Sequence, residues 1–181
     1  MNSKEILKES FKTAIASTAK SIAAQPNLKI SFEVANNDDE NTINLPDIKQ
    51  LDNLEEYSNI RAIADSEALR VRYTDKLIYN QNKPQGKLEK KLYQTAEKIR
   101  YEKLGSNYFA GVRKNLDKYF QKKNLRNNEE VRSKDLNDEI IETFELYLRN
   151  IVFEKKLKKN ANNLISNLEK KISHNVEAEI A

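Results

Sequence analysis

The apolar positions of the chain fall first into a helical rhythm. Behind Ser3, a residue suited to an N-cap, Ile6, Leu7, Phe11, Ala14, Ile15, Thr18 and Ile22 recur every three or four residues. This predicts a helix from Ser3 that ends near Pro26. Leu28, Ile30, Phe32 and Val34 then alternate with polar residues, the period of a half-buried strand. A strand needs a partner. A short return strand around residues 42–45 would complete a small hairpin, with the acidic stretch 36–41 as its loop and Pro46 closing it.

From Leu54 a second rhythm begins: Leu54, Tyr57, Ile60, Ile63, Ala64, Ala68, Leu69, Val71, Tyr73, Leu77 and Ile78. If unbroken to Asn82, this helix measures about 40 Å at ~1.5 Å per residue. Charges interleave with its apolar residues on several faces, so neighbours are expected on more than one side. Residues 82–86 (NKPQG) are a turn by composition. Leu88, Leu92, Ala96, Ile99 and Leu104 mark the next helix, with Gly105 placed to be the left-handed residue after its end. Ser106 or Asn107 then caps a third helix carrying Phe109, Val112, Leu116, Tyr119 and Phe120. So short a loop predicts that these two helices pack antiparallel.

After a polar break at 122–132, Leu136, Ile140, Phe144, Leu148 and Ile151 mark another helix. Leu164, Ile165, Leu168 and Ile172 form a last amphipathic stretch. No repeat of fixed period stands out. The predicted class is therefore mainly α: a multi-helix bundle with a short β-strand or hairpin near residues 28–45.

Composition agrees. Three Gly and three Pro in 181 residues leave few positions that interrupt a helix, and 33% charged against 38% hydrophobic residues imply solvated outer faces. There is no cysteine, which removes disulfides, thiolate metal sites and cysteine nucleophiles, and fits a reducing compartment. Residues 1–10 alternate in charge without the apolar core of a secretory signal. No apolar run approaches the roughly 20 residues that span a bilayer. A cytoplasmic protein is expected, with no membrane partner. The formal charge of +4 describes a mixed surface, not a strongly cationic one. Lys155, Lys156, Lys158 and Lys159 do cluster, but only Phe153 lies near them to stack on a base. A solvated helix face explains them more simply than nucleic acid does.

Catalytic chemistry finds little to stand on. No GxxxxGK[ST], GxGxxG, HExxH or EF-hand pattern occurs. The single histidine, His174, cannot form a nucleophile–base pair or a multi-histidine cage within one chain. No catalytic, cofactor-binding or metal-binding residue is therefore assigned. Asp65, Asp75 and Glu102 remain as carboxylates inside patterned helices. Arg61 and Asp65 are four apart and Arg72 and Asp75 three apart, the spacing of surface pairs worth roughly 0.2–0.5 kcal/mol each. Alternatively Asp65, Arg70, Arg72, Arg100 and Glu102 form a buried or interfacial network that fixes register or docks a partner, because an unpaired buried charge is costly. Spacing alone favours the surface pairs. Gly111 costs about 1 kcal/mol against Ala inside a helix, so its use predicts close approach of another backbone, that of residues 64–68.

The segment 61–73 reads RAIADSEALRVRY and is followed by Asp75; RYEKLG comes at 100–105 and AGVRKNL at 110–116. This order and spacing resemble the amino-terminal region of the cobaltochelatase CobT subunit. That family shows an R-G-x-A-D-x-x-A-L-R-x-R-x-x-D run, then R-x-E-x-x-G, then A-G-V-x-x-N-L. The matching positions are Arg61, Ala64, Asp65, Ala68, Leu69, Arg70, Arg72 and Asp75. Arg100, Glu102, Gly105, Ala110, Gly111, Val112, Asn115 and Leu116 supply the other two elements. The close match covers about a third of the chain, with weaker agreement from its start to Phe120 and little beyond.

The resemblance implies a CobT-like helical domain with a small β element over residues 1–125, and a helical extension over 126–181. It also implies a non-catalytic part of a subunit related to magnesium-chelatase D-type subunits. Such a subunit works with a AAA+ ATPase subunit and a large chelatase subunit. Together they form an ATP-dependent metal–corrin ligase that inserts cobalt into hydrogenobyrinic acid a,c-diamide during aerobic cobalamin synthesis. ATP, Mg and cobalt then belong to the full complex, and none is expected to be bound by this segment. An acidic linker and a von Willebrand A-type domain with a DxSxS motif follow in the family, so a longer protein is expected. On this reading Arg61, Asp65, Arg70, Arg72, Asp75, Arg100, Glu102, Gly111 and Asn115 are structural or docking residues, and self-association is compatible with it. The alternative is a stand-alone helical interaction module unrelated to cobalamin.

Overall fold

The computed structural model describes residues 3–32, 41–48, 54–129, 135–154 and 166. In chain order the elements are α1 (Ser3–Ala23), β1 (Lys29–Ser31), β2 (Thr42–Asn44), α2 (Leu54–Tyr73), α3 (Lys76–Asn82), α4 (Lys87–Tyr108), α5 (Ala110–Glu129) and α6 (Leu136–Val152). The mainly α class and the small β element are both present. The chain forms two compact units, one of Met1–Thr74 with Leu104–Glu130, the other of Asp75–Lys103 with Val131–Ala181.

In the first unit α2 is the central helix. It packs on α1, α5 and β2, the several neighbours that its interleaved pattern predicted. Ala62, Ala64 and Ala68 are all buried, and their small side chains let neighbours approach closely. α1 contributes Ile15, Ala19, Ile22 and Ala23, and α5 contributes Val112, Leu116 and Phe120. α1 ends at Ala24, whose φ of 55° is left-handed. The Gln25 N–H closes that end by donating to the Lys20 carbonyl at 3.1 Å.

The β element lies where alternation placed it, but its two strands run parallel, where a hairpin would make them antiparallel. Lys29 pairs with Thr42, Ile30 with Ile43 and Ser31 with Asn44. The Lys29 N–H donates to the Asn41 carbonyl at 2.9 Å, and the Leu45 N–H to the Ser31 carbonyl at 2.8 Å. Parallel strands need a connection that returns to the starting end, which a tight turn cannot supply. Leu28, Ile43, Leu45 and Ile48 are buried here. Val34 and the loop residues 36–40 lie outside the described residues.

The helix expected to run from Leu54 to Asn82 is broken at Thr74 and Asp75. The Asp75 side chain accepts from the N–H groups of Leu77 at 2.9 Å and Ile78 at 3.1 Å, which makes it the N-cap of α3. Such a cap is worth about 1 kcal/mol and competes with continuing the preceding helix.

Neither Gly105 nor Gly111 plays the role expected of it. α4 runs through Gly105 to Tyr108, and Gly105 has no positive φ. Ser106 and Asn107 are helical, so they cap nothing. The Phe109 N–H donates to Gly105 O at 2.8 Å and the Arg113 N–H to Phe109 O at 3.0 Å, carrying helical bonds across the junction instead of folding the chain back. A Cβ on Gly105 would lie 2.2 Å from Leu69 Cδ2 and 2.8 Å from its Cγ, whereas one on Gly111 would meet nothing within 4 Å. The close approach therefore belongs to Gly105. Leu69 is fully buried and has little room to yield.

Gly105→Ala is accordingly expected to destabilise by on the order of 1 kcal/mol, overpacking of about 1–3 kcal/mol outweighing a propensity gain of about 1 kcal/mol. Gly111→Ala is expected to stabilise by about 0.5–1 kcal/mol. Urea denaturation should move the two midpoints in opposite directions; equal shifts would contradict the assignment.

In the second unit, α6 occupies the stretch that its i, i+4 apolar spacing predicted. Its buried residues are nonetheless Glu145 and Arg149. α3 has no buried residue, and Leu77 and Ile78 on it are exposed. The polar stretch from 122 does not break the chain at once. α5 continues to Glu129, since none of residues 122–129 is Gly or Pro. The apolar stretch at 164–172 (apart from Ser166), Lys155, Lys156, Lys158, Lys159 and His174 lie outside the described residues.

Candidate functional site

Two buried carboxylates organise the charged residues, one in each unit. Asp65 sits on the inner side of α2 between Ala64 and Ala68 and is 1% exposed. Arg61, one turn earlier, places Nε 3.2 Å from Oδ1. Asn115, on α5, donates from Nδ2 to Oδ2 at 2.7 Å. The i, i+4 spacing thus makes an ion pair, but a buried one that α5 completes. Burial raises the Asp65 pKa above the ordinary carboxylate value, against the opposing Asn115 hydrogen bond and Arg61 charge.

Arg72 lies at the other end of α2. Its Nη1 donates to the Ile22 carbonyl at 2.8 Å, tying α2 to the last turn of α1. Its guanidinium carbon stands 5.6 Å from the ring centroids of both Tyr73 and Phe109. The expected pair with Asp75 does not form, because that carboxylate caps α3.

In the second unit Glu102 on α4 is 1% exposed and forms an ion pair with Arg149 Nη2. Arg149 Nε lies 3.5 Å from Glu145 Oε1, one turn back on α6. Phe153 covers the cluster, its ring centroid 5.8 Å from the Arg149 guanidinium and 5.5 Å from Lys103 Nζ. Two carboxylates and a guanidinium are thus held in a site that water barely reaches.

The single network proposed for Asp65, Arg70, Arg72, Arg100 and Glu102 does not form. Arg70 pairs with Glu67 at 2.7 Å, and Arg100 grips both oxygens of Glu97 at 2.7 Å, each arginine at the surface. That grip, chiefly the Glu97 hydrogen bond, holds the Arg100 pKa above its ordinary value. Gly111 faces open space. Sequence reasoning missed Glu145 and Arg149. Their four-residue spacing beside the apolar stripe of α6 was the only local signal. Gly105 was noticed for the wrong reason.

Among the described residues no group of three or more His, Cys, Asp or Glu is placed to hold a metal ion. None of the helices, among the described residues, is long and apolar enough to cross a membrane.

No solved structure matches the chain. The family described as cobalamin biosynthesis protein CobT matches residues 6–181, continuing through the segment past Phe120 where the motifs alone showed little. With nearly the whole length matched, and the three motif segments contributing to α2, α4 and α5 and their buried contacts, the chain belongs to the CobT family of cobalamin biosynthesis proteins.

Proposed function

We propose that this chain is a non-catalytic scaffold of a cobaltochelatase CobT-type subunit. It assembles with a AAA+ ATPase subunit and a large chelatase subunit, which hydrolyse ATP and insert cobalt, the substrate metal, into hydrogenobyrinic acid a,c-diamide. One observation carries the reading. Residues that carry the family resemblance hold helices together: Asp65 and Asn115 join α2 to α5, Gly105 receives Leu69, and Glu102 pairs with Arg149. Buried charge pairs of this kind fix helix register, because any other register leaves an ion unpaired.

These residues do not suit a metal–nucleotide site. Asp65 already holds Arg61 and Asn115, and Glu102 holds Arg149, so neither presents a free carboxylate oxygen pair to Mg²⁺. No step of the reaction is routed through them. The chain is expected to co-sediment with the purified AAA+ subunit in analytical ultracentrifugation. Absence of a complex at tens of micromolar would overturn the scaffold reading.

A further inference from the structure

We propose that Arg72, Tyr73, Tyr108, Phe109 and Arg113 form a docking surface for an acidic protein segment of the ATPase partner. This rests on the scaffold reading above and names the face that serves it. Arg72 is exposed, yet its position is set: Nη1 donates to Ile22 O at 2.8 Å, and the rings of Tyr73 and Phe109 each lie 5.6 Å from its guanidinium carbon. Among the described residues no carboxylate pairs with it. A planar guanidinium held against two rings, with most of its donors unused, is pre-organised to take a carboxylate through two parallel hydrogen bonds.

The surroundings extend the same chemistry. Arg113 lies one turn beyond Phe109, to whose carbonyl its N–H donates at 3.0 Å. It is exposed and, among the described residues, meets no carboxylate either. Tyr108 is 75% exposed, a large apolar ring with a polar tip next to the cluster. A Cβ on Gly111, two residues before Arg113, would meet nothing within 4 Å, so the chain is open there. Arginine and tyrosine are the residue types that dominate binding at protein interfaces.

Charge selects the occupant. Glu67, five residues before Arg72, is taken by Arg70 at 2.7 Å, and the Asp75 carboxylate caps α3, so neither neutralises Arg72. Two guanidiniums suit a segment with one or two Asp or Glu residues. A nucleic-acid backbone needs a run of cations and free ring faces on which bases stack, and here Arg72 lies beside the Tyr73 and Phe109 rings.

Isothermal titration of the whole chain with the AAA+ subunit tests this. Tyr108→Ala and Arg113→Glu, both at exposed positions, are expected to weaken binding at least tenfold with circular dichroism unchanged. Lys87→Glu, an exposed change on α4, serves as the control and should bind like the parent. Affinity of the parent should fall as salt rises. If the parent binds and both variants bind equally well, this surface is wrong while the scaffold reading stands. If the parent does not bind at all, both fall together. Tight binding of a short DNA duplex that the same variants abolish would overturn the acidic-segment occupant.

Discussion

Arg149→Met is expected to lower stability by about 3–5 kcal/mol, the cost of leaving a buried charge without its partner. Glu102 is 1% exposed and Glu145 is buried with it, so neither carboxylate can turn to water when the guanidinium goes. Methionine keeps the unbranched stem out to the position of Nε and removes the guanidinium group. The control is Arg149→Met combined with Glu102→Leu and Glu145→Leu. Replacing a whole buried ionic cluster by apolar residues of similar volume is often neutral or stabilising, so this variant should recover most of the loss. Guanidinium chloride denaturation gives the totals. Amide hydrogen exchange along α4 and α6 locates the effect in the second unit. A single-variant loss below about 1 kcal/mol would mean that the cluster behaves as an exposed surface pair.

Asn115→Leu should cost about 2–3 kcal/mol at neutral pH, the range for losing a hydrogen bond to a buried charged group. It strips Oδ2 of Asp65 of its 2.7 Å donor and leaves Arg61 to hold the carboxylate from one side. The cost should depend on pH, with a sign that follows from burial. Burial raises the Asp65 pKa above its ordinary value of 3.8. The stability this group contributes is therefore fully present below that value and is lost as pH rises through the raised one. Asn115 opposes the rise, so its loss moves the folded pKa further up and widens that window. The difference between parent and variant is thus largest at neutral pH and shrinks towards acid, where a protonated Asp65 needs the donor less. In an Asp65→Asn background the cost of Asn115→Leu should no longer vary with pH. A pH-independent cost in the parent background would contradict the assigned geometry.

Both predictions concern contacts that connect distant parts of the chain, and this marks where the sequence stops being legible. The existence of α1, α2 and α6, and the approximate bounds of α1 and α6, followed from apolar residues three and four apart, a signal carried by neighbours within one turn. The position of β1 and β2 followed from alternation in the same way. Two of the candidate residues, Asp65 and Glu102, are buried although spacing alone favoured surface pairs, and Asn115 stands beside Asp65.

What those residues do was decided elsewhere. Arg61 and Asp65 look like a surface pair until α5 closes over them. Glu102 is one carboxylate in a mixed helix until α6 presents Arg149, 47 positions away. Glycine at 105 or 111 reads alike as a letter, and only the buried Leu69 distinguishes them. The break at Thr74 turned on whether Asp75 would cap a new helix or continue the old one, two local outcomes close in energy. Whether β1 and β2 run parallel or antiparallel depended on the path between them, which alternation does not describe.

The sequence by itself therefore determined which segments are mainly helical and the family to which the chain belongs. The tertiary structure decided which charges are buried together and which glycine admits a neighbour. The physical reason is range. Periodicity records what each residue does to its own helix, while burial, and with it the cost of an unpaired charge, exists only once another element has been packed on top.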